Sequence, residues 1–413
     1  MTILKRFLKY VSISTTSNSK SETTPSTKEQ FEFAKLLYTE LSELGLDRIY
    51  FDREHCYLYG YLKGNSITST SIGFIAHMDT SEDAKGDNIK PRIIENYDGK
   101  DIKLNNDKTL EVKSNPDLLK HIGKTLITTD GNTLLGGDDK AGIVEIMTML
   151  EHFKNTNDPH GDIYVAFTPD EELGKGTKYF NFYQFKPDFA YTVDGEYLGE
   201  FSYENFNAAT VNIRIKGNDI HPGYAKDKMI NALLLANAIT NSLPNETPSN
   251  TELREGFYHL MKLNGNVSNA EIKYIIRDHD KEKFEMRKQF IKEVVDNLNL
   301  LYNNCISINI KDTYYNMYEK IKDRNEIIEN TKDTIKSLGI EPIIKPIRGG
   351  TDGANLSHMG LPCPNLGTGA HNFHSVYEYA VLEDMIKTSE ILINIAKSYV
   401  KENTKAEKIY QKS

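Results

Sequence analysis

The stretch 125–153, TLITTDGNTLLGGDDKAGIVEIMTMLEHF, decides how this chain folds. A short strand-like run, TLITTD, passes through Gly131 into a segment whose apolar residues Ile143, Ile146, Met147 and Leu150 recur at helical spacing. Asp138 and Asp139 stand at the start of that helix, where the dipole alone favours carboxylates. The same pattern recurs on both sides. Ser71–Ala76 is apolar and runs directly into His77; Asp162–Phe167 ends in TPDEELGKG; Asp188–Val193 ends at Asp194. Strands alternating with helices predict an α/β domain with a largely parallel sheet.

Upstream, the chain predicts a helix, a Ser/Thr-rich surface connection and a second helix over 28–44, capped by Ser26 or Thr27. Strands over 49–52 and 57–62 follow. The polar stretch from Asp79 to about Gly123 has weak periodicity and reads as a long loop of the functional kind. From about Asn207 the style changes. Ala209–Lys216 alternates apolar and polar, a helix covers 229–243, and strands are expected over 258–267 and 271–277. A charged helix over 281–302 and an alternating run over 307–310 complete a small open α+β layer. After Tyr314 the α/β style resumes, with helices over 326–338 and 382–400, a strand near 340–346 and a Gly-rich loop, RGGTDG. The expected organisation is one α/β domain, 1–206 and 314–413, interrupted by an inserted domain, 207–313.

Composition narrows the function classes. The 413 residues carry 50 Lys+Arg against 59 Asp+Glu, a formal net charge of −9, which argues against a nucleic-acid binder. No stretch approaches the length of apolar residues a membrane span needs, and the N-terminal run lacks the form of a signal peptide. Cys56, Cys305 and Cys363 form no disulfide framework and no CxxC pair. A cytoplasmic protein is expected.

The chemistry lies where strands end. His77 and Asp79, Glu171 and Glu172, Asp194, and His374 after LGTGAHNF each follow a strand-like or Gly-rich run, and Asp138 adds an acid at a helix start. In open α/β sheets, side chains beyond the carboxyl ends of the strands converge on one crevice. His77-x-Asp79 places both side chains on one side of an extended backbone, suiting an imidazole ligand with an orienting carboxylate. Adjacent Glu171 and Glu172 point apart on regular backbone, so one can ligate while the other addresses a water. Two histidines with several acids form a mixed N/O set suited to zinc, with cobalt or manganese as substitutes. The remaining histidines, including His55, His121, His152, His160, His259, His279, His358 and His371, read as surface, locally satisfied or idle. Competing motifs fail: there is no HExxH, no GxSxG elbow and no GxGxxG after a strand, and Gly123-Lys124-Thr125 lacks the leading glycine of a P-loop.

FIAHMDTS, HGDIYVAFTPDEELGKG, AYTVDGE, HPGYAKDKMINAL, YYNM, KPIRGGTDGANLSHMGLPCPNLGTG and the His374–Glu378 spacing, together with the opening stretch, are similar to the tripeptide aminopeptidases of the dinuclear-zinc aminoacylase/carboxypeptidase superfamily. The similarity spans essentially the whole chain. It implies a zinc-exopeptidase-type α/β catalytic domain with an inserted α+β lid or dimerisation domain, and hence a homodimer. It implies two Zn2+ per subunit, one held by His77 and Asp194, the other by Glu172 and His374, with Asp138 bridging. Asp79 would support His77, Glu171 would act as general base, and His221 would help stabilise the oxyanion. Small peptides would be the substrates, with Arg277 and Arg348 as grips for the C-terminal carboxylate. A related dipeptidase, an N-acyl amino-acid deacylase, or a non-catalytic metal-binding protein are the alternatives.

Overall fold

Ile72–His77 is buried at every position, as a strand covered on both faces must be. The computed structural model describes residues 1–66 and 70–400. The chain divides into two compact units. The first comprises Met1–Tyr203, Lys320–Lys345 and the chain from Thr351 onward; the second comprises Glu204–Glu319 and Pro346–Gly350.

The first unit is built on an eight-stranded sheet. Its four middle strands, in spatial order Ile163–Thr168, Ile72–His77, Phe189–Gly195 and Asn365–Gly367, pair in parallel. Antiparallel Leu58–Leu62 and Arg48–Phe51 extend one side, and Glu200–Ser202 with Ile343–Ile344 extend the other. The parallel strands all present their carboxyl ends to one edge, which is the crevice the sequence points to. The helix Gly137–Asn155 is buried on nearly every side. A Cβ at Gly142 would collide with the Val193 carbonyl, so glycine lets this helix lie directly on the strand that carries Asp194.

The stretch 79–123 is not one long loop. It holds the strand Arg92–Ile94, the hairpin Ile102–Lys103/Thr109–Leu110 and the 3-10 turn Pro116–His121. Tyr97, Ile102, Leu104, Leu110 and Leu118 pack with Leu126, Tyr379 and Val381 into a core of their own. Strands of two or three residues carry too few apolar positions for periodicity to register. Arg92–Ile94 joins Leu126–Thr128, Tyr379–Val381 and Ala370–His371 in a four-stranded sheet. The Gly-rich loop 348–353 likewise leads into a helix, Asp352–His358, that glycine content hides.

The second unit is a four-stranded antiparallel sheet in the order Phe257–Gly265, Asn269–Asp278, Asn207–Lys216, Ile306–Tyr314. The helices Ala232–Ser242 and Lys281–Leu301 cover one face, with Val211, Ile213, Ile272, Ile276, Phe284 and Ile291 among the buried residues. The division falls after Tyr203 and Glu319 instead of after 206 and 313. Asn205 N–H donates to Asn316 Oδ1 at 3.0 Å and Met317 N–H to Asn205 Oδ1 at 2.7 Å, so both flanks belong to this unit. Among the described residues no helix is long and apolar enough to cross a membrane.

Glu145, midway along Gly137–Asn155, is fully buried and neither carboxyl oxygen has a hydrogen-bond partner. Burial alone pushes its pKa well above the carboxylate range. The folded protein therefore holds a proton that the unfolded chain releases above its ordinary pKa. Stability falls as pH rises from there, by about 1.4 kcal/mol per pH unit until the raised folded pKa is reached. Glu145→Leu is expected to melt at higher temperature than the wild type, with the gap widening as pH rises above the ordinary carboxylate range. A gap independent of pH, read by thermal melts, would show that Glu145 is compensated.

Candidate metal centre

Most of the site residues sit at or soon after the end of a strand. His77 closes Ile72–His77, and Asp194 is the penultimate residue of Phe189–Gly195. Glu171 and Glu172 open a 3-10 turn soon after Ile163–Thr168, entered through Asp170 at φ +53°. His374, at φ +60°, follows the short strand Ala370–His371. Asp138 lies at the head of Gly137–Asn155 but is not helical, and its peptide bond to Asp139 is cis. The non-helical backbone angles at Asp138 and Asp139, and not a regular first helical turn, set the carboxylate pair.

The geometry centres on Asp138. Its Oδ1 is 2.8 Å from His77 Nε2 and its Oδ2 is 3.1 Å from His374 Nε2. Asp194 Oδ1 is 3.4 Å from His77 Nε2, and Glu172 Oε2 is 2.9 Å from His374 Nε2. Donor atoms of His77, Asp138 and Asp194 lie within 4.8 Å of one another, and so do those of Asp138, Glu172 and His374. Two ligand triads thus share one carboxylate. Asp79, fully buried, accepts from the backbone N–H of Glu171 at 3.0 Å and of Glu172 at 3.2 Å. Its carbonyl lies 3.0 Å from His77 Nδ1, which directs Nε2 at the triad.

The electrostatics describe acids crowded together out of water. Burial raises Glu172 to about 8, with the Asp138 charge adding to it; burial likewise raises Asp194 to about 6. Glu171 is pushed well up, first by burial and then by Asp194, Asp352 and Glu172. Burial opposes charge on His77, yet the facing Asp194 and the bonds to Asp138 and Asp194 hold it well above the imidazole range. His374 rises to about 11 through its bonds to Asp138 and Glu172. Glu172 Oε1 is buried without a hydrogen-bond partner. A site that gathers this much carboxylate, with an orphaned oxygen among it, fits divalent cations.

Several supporting residues escaped the sequence reading. Asp139 accepts the His77 N–H at 3.1 Å and the Gly142 N–H at 3.2 Å, pinning strand to helix. Glu378, fixed only as a spacing marker, accepts from the N–H groups of Leu135, Gly136 and Asp138 at 2.7–3.1 Å. Asp170 takes Ser26 and Gln30, and Asp83 Oδ2 lies 3.1 Å from His374 Nδ1. The Asp138-Asp139 doublet was the available signal for Asp139. The other contacts join segments far apart in sequence.

His221, Arg277 and Arg348 belong to the second unit. His221 is exposed, and its Nδ1 accepts the Gly223 N–H at 3.2 Å, which leaves the proton of the neutral ring on Nε2. Among the described residues neither arginine is in an ion pair with a carboxylate. Arg348 donates to the carbonyls of Leu253 and Thr251 and to Thr251 Oγ1. Arg277 Nη1 donates to the Arg348 carbonyl at 2.6 Å, while its buried Nε has no partner.

Two family models match the chain: "Peptidase dimerisation domain" over residues 203–303 and "M42 glutamyl aminopeptidase" over residues 125–244. The chain is 50% identical over 407 residues to a peptidase T of Halothermothrix orenii, covering 96% of this chain and 98% of that protein. A peptidase T of Alkaliphilus oremlandii is also 50% identical, covering 97% and 99%. Among solved structures, the aminopeptidase PepT of Bacillus cereus shares the fold with a TM-score of 0.78 at 23% identity, over 97% of this chain and 98% of that one.

Proposed function

The chain belongs to the peptidase T family, and on that premise we propose that it hydrolyses tripeptides, releasing the N-terminal residue, at a centre of two zinc ions per subunit with cobalt or manganese as substitutes. The observation that carries the reading is Asp138, whose two oxygens face His77 and His374 separately. His77 and Asp194 would hold one ion and Glu172 and His374 the other, with Asp138 between them. Held there, two cations would supply Lewis acidity, activating a water and polarising the scissile carbonyl.

Glu171 stands outside both triads and supplies the base. Its carboxylate accepts the proton of the attacking water and passes it to the leaving amine, which departs as the free amino group of the dipeptide. Asp79 positions this base by anchoring the backbone of Glu171 and Glu172 together. His221, with its proton on Nε2, is the donor assigned to the oxyanion. Arg277 is favoured over Arg348 for the substrate's C-terminal carboxylate, because Arg348 spends both terminal nitrogens on Leu253 and Thr251, whereas Arg277 commits Nη1 and leaves Nε without a partner. The second unit supports pairing into a homodimer: residues 203–303 match the dimerisation model, and the edge strand Phe257–Gly265 exposes Leu260, Met261 and Leu263.

A free-amine tripeptide is expected to be cleaved far faster than its N-acetylated form, and faster than the corresponding di- and tetrapeptides. Preference for the acetylated form would favour the deacylase reading, and preference for the dipeptide would favour the dipeptidase. Exhaustive chelation should abolish turnover, and added zinc or cobalt should restore it. Chelator-resistant turnover would overturn the metal mechanism.

A further inference from the structure

Two histidines that read as idle in the sequence meet in the first unit. His121 ends the 3-10 turn Pro116–His121, His371 lies in Ala370–His371, and Asp384 sits in the first turn of Leu382–Ser398. One donor atom from each lies within 4.8 Å of the other two. All three residues are at least nine-tenths buried. We propose that His121, His371 and Asp384 form a third metal site, structural in role, that takes a divalent ion of the zinc type.

The unpartnered atoms carry the argument. Both ring nitrogens of His121 and Nε2 of His371 are buried without a hydrogen bond. Buried polar atoms are nearly always paired, so three orphans in one cluster call for a ligand. His121 Nδ1 and Asp384 Oδ2 are 3.4 Å apart without the geometry of a hydrogen bond. Two ligands on one tetrahedral zinc, at bond lengths of about 2.0–2.1 Å, are separated by about 3.3 Å. Lys124 Nζ takes the other oxygen, Asp384 Oδ1, at 2.6 Å, which fixes the carboxylate and leaves Oδ2 turned to His121. His371 is stacked on Tyr379 at 4.9 Å and met edge-on by Tyr197 at 5.1 Å, which holds its ring plane. Burial lowers both imidazoles, His371 to about 3, so they are held in the neutral form that ligates.

Such an ion would tie the turn at Pro116–His121 to the strand Ala370–His371 and the helix Leu382–Ser398. One of them is the strand that ends three residues before His374, so the site would brace the approach to the dinuclear centre without belonging to it.

The test is metal stoichiometry, read by mass spectrometry after chelator stripping and reconstitution with Zn2+ alone. The wild type is expected to hold about three equivalents per chain, and His121→Gln or His371→Gln about one fewer. Asp138→Asn should lose the pair and keep about one, so failure of the dinuclear reading and failure of this one give different patterns. Equal zinc content in wild type and His371→Gln would overturn the proposal. Should the variants not fold, zinc-soaked crystals of the wild type decide it: an anomalous peak between the three donors supports the site, and its absence refutes it.

Discussion

Glu171→Gln is expected to lower kcat about 10²–10⁴-fold while leaving metal content and melting temperature unchanged. The dissociation follows from placement. The Glu171 carboxyl is in neither ligand triad, so its loss removes no donor from either ion. Its backbone N–H, which the substitution does not touch, keeps the turn anchored on Asp79 Oδ1. The amide matches the carboxylate in shape but cannot take a proton. Glu172→Gln, one residue along, should behave differently: it alters the proposed ligand 2.9 Å from His374 and should release metal as well as activity. Measured together, kcat and metal content separate base from ligand. If Glu171→Gln turns over within about tenfold of wild type, the base lies elsewhere. Asp352 is then the next acid to examine, since it is buried, raised to about 7 chiefly by burial, and held by Thr168 Oγ1 at 3.0 Å.

That the two glutamates can be assigned different parts at all depends on features of unequal visibility in the sequence. The parallel strands were legible because a strand buried on both faces is a continuous apolar run, and their polar ends mark the crevice. His77 and Asp194 stand at such ends, whereas His374 follows a Gly-rich run and a two-residue strand of the small sheet. The turn that aims Asp138 was not, since the sequence pointed to a helix start and the backbone there is non-helical. Asp79 was legible as a neighbour of His77, but its two bonds to the glutamate turn span some ninety residues, and no local pattern encodes them. In the sequence His121 reads as a surface or locally satisfied histidine, and the spacing to Glu378 selects His374 over His371. The relation of His121 and His371 to Asp384 exists only after the small sheet around Leu126–Thr128 has formed. Pairs fixed by local periodicity are readable; clusters fixed by sheet order are not.

Asp138→Ala is expected to have the larger effect of the two, removing about two metal equivalents and reducing turnover below detection. Every other candidate ligand lies in one triad, whereas Asp138 lies in both, so one truncation would open both proposed sites at once. The loss also leaves the buried His77 Nε2 without its nearest carboxylate, at a cost of about 1–3 kcal/mol, while His374 keeps Glu172 at 2.9 Å. The backbone should survive, because Glu378 holds the N–H groups of Leu135, Gly136 and Asp138 independently of the Asp138 side chain. Asp138→Asn sharpens the result: it keeps an oxygen acceptor and the shape but only one donor atom fit for a cation. If bridging is what matters, the asparagine variant should resemble alanine in metal content while melting closer to wild type. Should either variant retain both ions with kcat within about tenfold of wild type, Asp138 does not bridge, and the two triads must be read as independent sites.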